Sequence, residues 1–229
     1  MTPVINADEE TRSRFLVRVY QHLALAVLAF IAIEAVFFTV GIAEGIYDFL
    51  ASTGGVAWLL ILGGFTVVNM IASRSAHQLG NTGAQYGALF AMSAAEALIF
   101  APFLYYVFKV APTDGTTSVV SAAIVTLVGF AALTVVAMTT RKDLSFLRPL
   151  VLWGAIVAIG LIIAAVVFGF QLGAVFSVAM IGLAGASILY QTQNIVRRYP
   201  EWAYVGAAVS LFGSLMMMFW YILQLFTRR

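Results

Sequence analysis

In a chain dominated by apolar residues, chemistry is sought at polar side chains that cannot escape to a surface. Four positions stand out: Glu34 and Glu96, and, further along, Gln191 and Ser214. A carboxyl deep in a bilayer can hold a proton or attract a cation, whereas glutamine and serine can only exchange hydrogen bonds. Counted from the helix ends at about 1.5 Å per residue, Glu34 lies roughly 22 Å deep and Glu96 roughly 18 Å. Ser214 sits at a depth similar to Glu96, and Gln191 lies nearer the inner face. No Lys or Arg occurs at these depths. An isolated buried carboxylate is costly. Glu96 is therefore expected to be protonated against a polar partner or to line a wet cavity, and a structural hydrogen bond to a neighbouring helix serves equally well for either glutamate.

Other polar positions have simpler readings. Gly206, Ser210 and Ser214 recur every four residues with Gly213 beside them, a small-residue stripe that lets a second helix approach closely. Gln191, together with Gln193 and Asn194, can equally mark a helix emerging into headgroups. His22 and His77 fall at a helix end and in a loop, where interfacial polar residues are usual. Enzyme chemistry lacks its parts. There is no cysteine for thiolate catalysis, disulfides or sulfur ligation of a metal. No G-x-S-x-G or H-E-x-x-H occurs, and no histidine shares the depth of an embedded serine. Lys109 and Lys142, the only lysines, are in loops, so a Schiff-base chromophore has no anchor. The expectation is a protein that is not an enzyme, with no cofactor and no metal site.

The elements that must position these residues are membrane helices. Of the residues 62% are hydrophobic and 10% charged, and the mean hydropathy is +1.00, against about 25% charged in soluble domains. Apolar runs long enough to cross a bilayer lie at about 19–42, 55–72, 84–108, 118–138, 150–168, 172–195 and 202–226. The expected fold is an all-α membrane protein, a seven-transmembrane-helix bundle in one domain over 1–229, with a tail at about 1–18. The last helix should be enclosed by the others, because its small-residue stripe and its Phe212/Phe219 side both look like contact surfaces. The basic residues are scattered among short loops, which excludes a nucleic-acid surface despite a pI near 9.0. With the N-terminus inside, Arg12, Arg14, Arg18, Arg74, Arg141, Lys142, Arg148, Arg197 and Arg198 are cytoplasmic, leaving Lys109, Arg228 and Arg229 outside. That bias predicts a cytoplasmic N-terminus and an external C-terminus.

The words of the sequence add a resemblance. ILYQTQNIV (188–196) and YVGAAVSLFGSLMMMFWYILQLF (204–226) resemble the last two helices of the Bax inhibitor-1 family, whose pattern is approximately ILYDTQ, then SLYLDIINLF and YILRLL. TRKDLSFL (140–147) resembles that family's TGKDFSFL, and AEALIFAPFL (95–104) matches a GLTLSPLL-like segment at Pro102. The resemblance implies a bacterial inner-membrane protein of the proton-sensitive calcium-leak class, in which two aspartates on the last two helices share a proton and latch the pore. In this chain those positions are Gln191 and Ser214, so the latch cannot titrate. The resemblance thus leaves two expectations. One is an ion pathway for calcium or protons with Glu96 as the remaining protonatable group, and with Gln191, Ser214 and Glu34 as further pathway candidates. The other is a non-conducting protein that regulates other membrane proteins or stress and death pathways. The lipid bilayer is the partner common to both.

Overall fold

The computed structural model describes residues 4–76 and 81–228. Among these residues there are eight α-helices and no strand: α1 Glu9–Thr39, α2 Ile42–Thr53, α3 Gly55–Ala76, α4 Thr82–Tyr105, α5 Gly115–Thr139, α6 Leu147–Phe168, α7 Ala174–Arg198 and α8 Tyr204–Thr227. All but α2 are long and apolar enough to cross a membrane. At 12 residues, α2 is too short to span.

Two departures from the expected spans have local causes. The tail expected at 1–18 is helical from Glu9, where Glu9 and Glu10 occupy the first turn and complement the positive end of the helix dipole. The expected loop after the first span instead folds as α2. It is bracketed by Gly41 (φ 79°) and Gly54 (φ 75°), which take the left-handed conformations that turn the chain at each end. Pro102 is accommodated inside α4, which continues as a π turn at Tyr106–Val110 before the chain reverses. Asp114 then starts α5 by accepting from the Thr116 and Thr117 amides at 3.2 and 3.3 Å. Gly115 packs directly against the π turn: a Cβ there would lie 2.7 Å from the Val107 carbonyl oxygen.

The bundle is built around α8, which packs against α1, α3, α4, α5 and α7. Of the most apolar stretch of this last span 78% is buried, against 6% for α6 at the periphery. Phe212, Leu211 and Leu223 of α8 are fully buried together with Met92 and Phe100 of α4 and Ile188 of α7. The residues of α8 suit enclosure, with apolar side chains all round and small ones at Gly206, Ser210, Gly213 and Ser214. Within the small-residue stripe, Gly206 and Ser214 are buried and Ser210 turns its hydroxyl back onto the Gly206 carbonyl at 3.0 Å. Gly213 is less constrained, since a Cβ there would meet only the Met92 terminal methyl at 3.5 Å.

Candidate functional site

Ser187 and Gln191 are four residues apart on α7, so they stack on one face. That face meets Ser214 of α8. The Gln191 Nε2 donates to Ser187 Oγ at 3.0 Å, and Ser214 Oγ donates to Gln191 Oε1 at 3.1 Å. Because the Ser214 proton is committed to Gln191, Ser187 Oγ donates to Ser214 Oγ across 2.9 Å. The three side chains therefore close a ring in which each hydroxyl gives one hydrogen bond and takes one. None of the three can ionise in the physiological range. The ring ties α7 to α8 with two bonds between helices and one along α7.

A second connection holds the end of α7. Gln193 is buried and reaches the loop between α5 and α6: its Oε1 accepts from the Leu144 amide at 2.7 Å, and its Nε2 donates to the Lys142 carbonyl at 2.8 Å. The same loop places Asp143 3.8 Å from Arg197. Asp143 accepts from the Ser145 amide at 3.0 Å and from the Ser145 hydroxyl at 2.9 Å. These hydrogen bonds, with the Arg197 and Arg198 charges behind them, hold its carboxyl below the usual aspartate range. The KDLS segment singled out in the sequence is thus a clamp that fixes the α5–α6 loop to α7.

The structure brings Gln191 and Ser214 together and leaves the two glutamates outside their ring. Glu34 and Glu96 are each 6% exposed. Glu34 is the last of the inward residues of α1, after Phe15, Val19, Leu23, Ala26 and Phe30, and neither of its oxygens has a hydrogen-bond partner among the described residues. Glu96 lies on the inward side of α4, one turn after Met92 and one before Phe100. His22 is less peripheral than its position suggests. Its Nδ1–H donates to the Arg18 carbonyl at 2.7 Å, its Nε2 pairs with the Tyr86 hydroxyl at 2.8 Å, and its ring lies 4.9 Å from that of Tyr204. It joins α1, α4 and α8 at their arginine-rich end. His77 lies outside the described residues. Among the described residues no three His, Cys, Asp or Glu side chains gather as they would around a metal ion.

Sequence reasoning missed Ser187, although its spacing of four from Gln191 was a usable signal. It also read Gln193 as an interfacial residue, because nothing local foretells a bond to a carbonyl 51 positions away.

Comparison with known proteins gives this geometry its setting. The family model described as inhibitor of apoptosis-promoting Bax1 matches residues 12–229. The chain belongs to the Bax inhibitor-1 family. Protein LIFEGUARD 4 of Arabidopsis thaliana is 30% identical over 233 aligned positions, covering 98% of this chain and 88% of the plant protein. Uncharacterized protein PA2604 of Pseudomonas aeruginosa is 34% identical over 116 residues, 49% of this chain and 51% of that protein, so this second match spans about half of each. Together with the seven apolar spans, membership in the Bax inhibitor-1 family makes this a multi-pass membrane protein.

Proposed function

We propose that the protein is a cation-leak member of the Bax inhibitor-1 family in which the latch between the last two helices is a neutral hydrogen-bond ring, and in which Glu96 is the protonatable group that any ion meets. The observation that carries this reading is the ring itself. It keeps a contact between α7 and α8 at the two positions where the resemblance expects aspartates, with Gln191 and Ser214 in their place and Ser187 completing the ring. A closure of this kind does not open on proton loss, so pH acts elsewhere. Glu96 is buried on the face of α4 that turns toward the bundle interior. The protein would sit in a bacterial inner membrane, N-terminus inside, as the arginine distribution favours. Cysteines introduced singly at Ser52 and Ser145 test that orientation: an impermeant reagent applied from outside should label the first and spare the second.

The decisive experiment compares calcium efflux from vesicles carrying wild type, Glu96→Gln, or Gln191→Asp/Ser214→Asp at several pH values. The reading expects a wild-type leak whose pH profile disappears in Glu96→Gln, and a second, latch-type pH response in the double variant. An unchanged profile in Glu96→Gln refutes the role of Glu96. The neutral ring also favours a second reading, a permanently closed protein that acts by contacting other membrane proteins. A wild type that is tight at every pH, beside a leaking double variant, would select it.

A further inference from the structure

Contacts between α1 and α4 form a ladder that rises in the same direction along both helices. His22 meets Tyr86 at 2.8 Å, Ser93 Oγ donates to the Ala26 carbonyl at 3.1 Å, Phe30 meets Phe100 edge to face with ring centroids 5.2 Å apart, and Phe38 meets Tyr105 at 6.5 Å. The two glutamates fall between these rungs on opposite sides of the phenylalanine pair. Glu96 precedes Phe100 by four residues, and Glu34 follows Phe30 by four. Each is therefore on the same helical face as its phenylalanine, with the two carboxyls separated along the bundle axis by roughly 12 Å at the helical rise.

What separates them is aromatic. α8 adds Phe219, stacked on Phe100 at 5.6 Å, and Trp220, edge-on to Phe100 at 4.9 Å. Trp220 also meets Phe103 at 4.5 Å and stacks on Trp58 of α3 at 5.9 Å. No charged side chain occurs in the apolar parts of α3 and α8 that pack here. On the arginine-rich side stand His22, Tyr86 and Tyr204, with Arg18 over the Tyr204 ring, and Tyr20 against Phe130 of α5. On the other side, beyond Glu34, stand Tyr105 with Glu44, Asp48 and Tyr47 of α2. Glu34, on the same face of α1 as Phe30, has both oxygens unpartnered among the described residues. A calcium ion needs six to eight oxygen ligands, which a lone carboxyl does not offer. A proton needs one.

We propose that Glu34 and Glu96 are the outer and inner stations of a proton path between α1, α4 and α8, closed in this conformation by the Phe30–Phe100–Phe219 aromatic plug. When the plug admits water, the carboxyl of the glutamate on the proton-rich side releases its proton to that water, and the carboxylate of the other accepts a proton from it. The donor is then re-protonated from its own side and the acceptor releases its proton to the far side, so one proton crosses, both stations return to their starting forms and no further reactant is needed. The inference rests on the reading of Glu96 as a protonatable pathway group, but it does not require calcium conduction.

The test uses the full chain in calcium-free vesicles with an internal pH dye and a potassium-valinomycin potential. Phe100→Ala should raise proton uptake above wild type, and Glu34→Gln in that background should return it to the wild-type level. Phe30→Ala, with the same second substitution, replaces it if Phe100→Ala does not fold. An unaltered uptake in the opened variants, or an increase that survives Glu34→Gln, overturns the proposal. Infrared spectra of the wild type supply a measurement that needs no opened variant. Glu34→Gln should remove a protonated-carboxyl band that shifts in heavy water, and the absence of such a band overturns the outer station. Loss of calcium efflux with proton uptake intact would refute the calcium reading alone, and the reverse would refute the proton path alone.

Discussion

Replacing Ser187 by alanine tests the neutral latch most directly. Ser187 Oγ sits between the other two members, taking a hydrogen bond from Gln191 at 3.0 Å and giving one to Ser214 at 2.9 Å. Alanine removes both and leaves the Ser214 bond to Gln191 in place. Hydrogen bonds between membrane helices average about 0.6 kcal/mol, and an intramolecular bond in general contributes about 0.5–1.5 kcal/mol net. Two lost bonds therefore amount to about 1–2 kcal/mol. For a chain of this size each kcal/mol moves the melting midpoint by about 2–4 °C, so the expected drop is about 2–8 °C. Thermal unfolding in detergent measures it. No member of the ring titrates, so the drop should be the same at about pH 5 and about pH 8, the interval in which a histidine would change charge. Gln191→Asp/Ser214→Asp, by contrast, should acquire a midpoint that depends on pH, because two carboxyls at hydrogen-bond distance cannot both ionise cheaply. A Ser187→Ala protein that melts with the wild type, or a drop that changes several-fold with pH, would refute the ring as described.

Two further outcomes follow from close packing and from the clamp on the α5–α6 loop. Gly115→Ala should destabilise by about 1–3 kcal/mol, the usual cost of overpacking, because the new methyl would press on backbone atoms of the π turn at 2.7 and 2.8 Å. Gly213→Ala, facing only the flexible Met92 tip, should melt close to wild type, and the opposite order would be incompatible with this packing. Asp143 has a carboxyl held below its ordinary range by Ser145 and the two arginines, so its stabilising effect is present above the unfolded carboxylate value and disappears as pH falls through the lower folded one. Asp143→Asn should accordingly speed amide exchange at Ser145 at neutral pH and match the wild type once the pH is below the carboxylate range. Equal exchange at neutral pH would show that the carboxylate does not hold the loop.

Much of the architecture was legible because a bilayer imposes a rule that each segment obeys by itself. A helix must be about 20 apolar residues long and must satisfy its backbone internally, so the seven spans could be read from hydropathy without knowing what each one touches. The same local logic exposed Glu34 and Glu96 as misfits, and the KDLS, ILYQTQ and YILQLF words as a family resemblance. It failed at α2, whose apolar residues are too few to register as a span, and at the start of α1, where polar residues with good helix propensity looked like a tail.

Hydropathy on its own determined that this is a multi-pass helical membrane protein and roughly where each span lies. Which side chains meet was decided by tertiary structure, because helices apolar on most of their surface carry little record of which way they face. Ser187 finds Ser214 only through the relative rotation of α7 and α8, 27 residues apart in the chain. Gln193 reaches the α5–α6 loop, and Phe30 comes to rest against Phe100 between two carboxyls, for the same reason. Chain length and composition can place a polar atom at a depth. Only the packing of several helices gives it a partner or, as at Glu34, leaves it without one among the described residues.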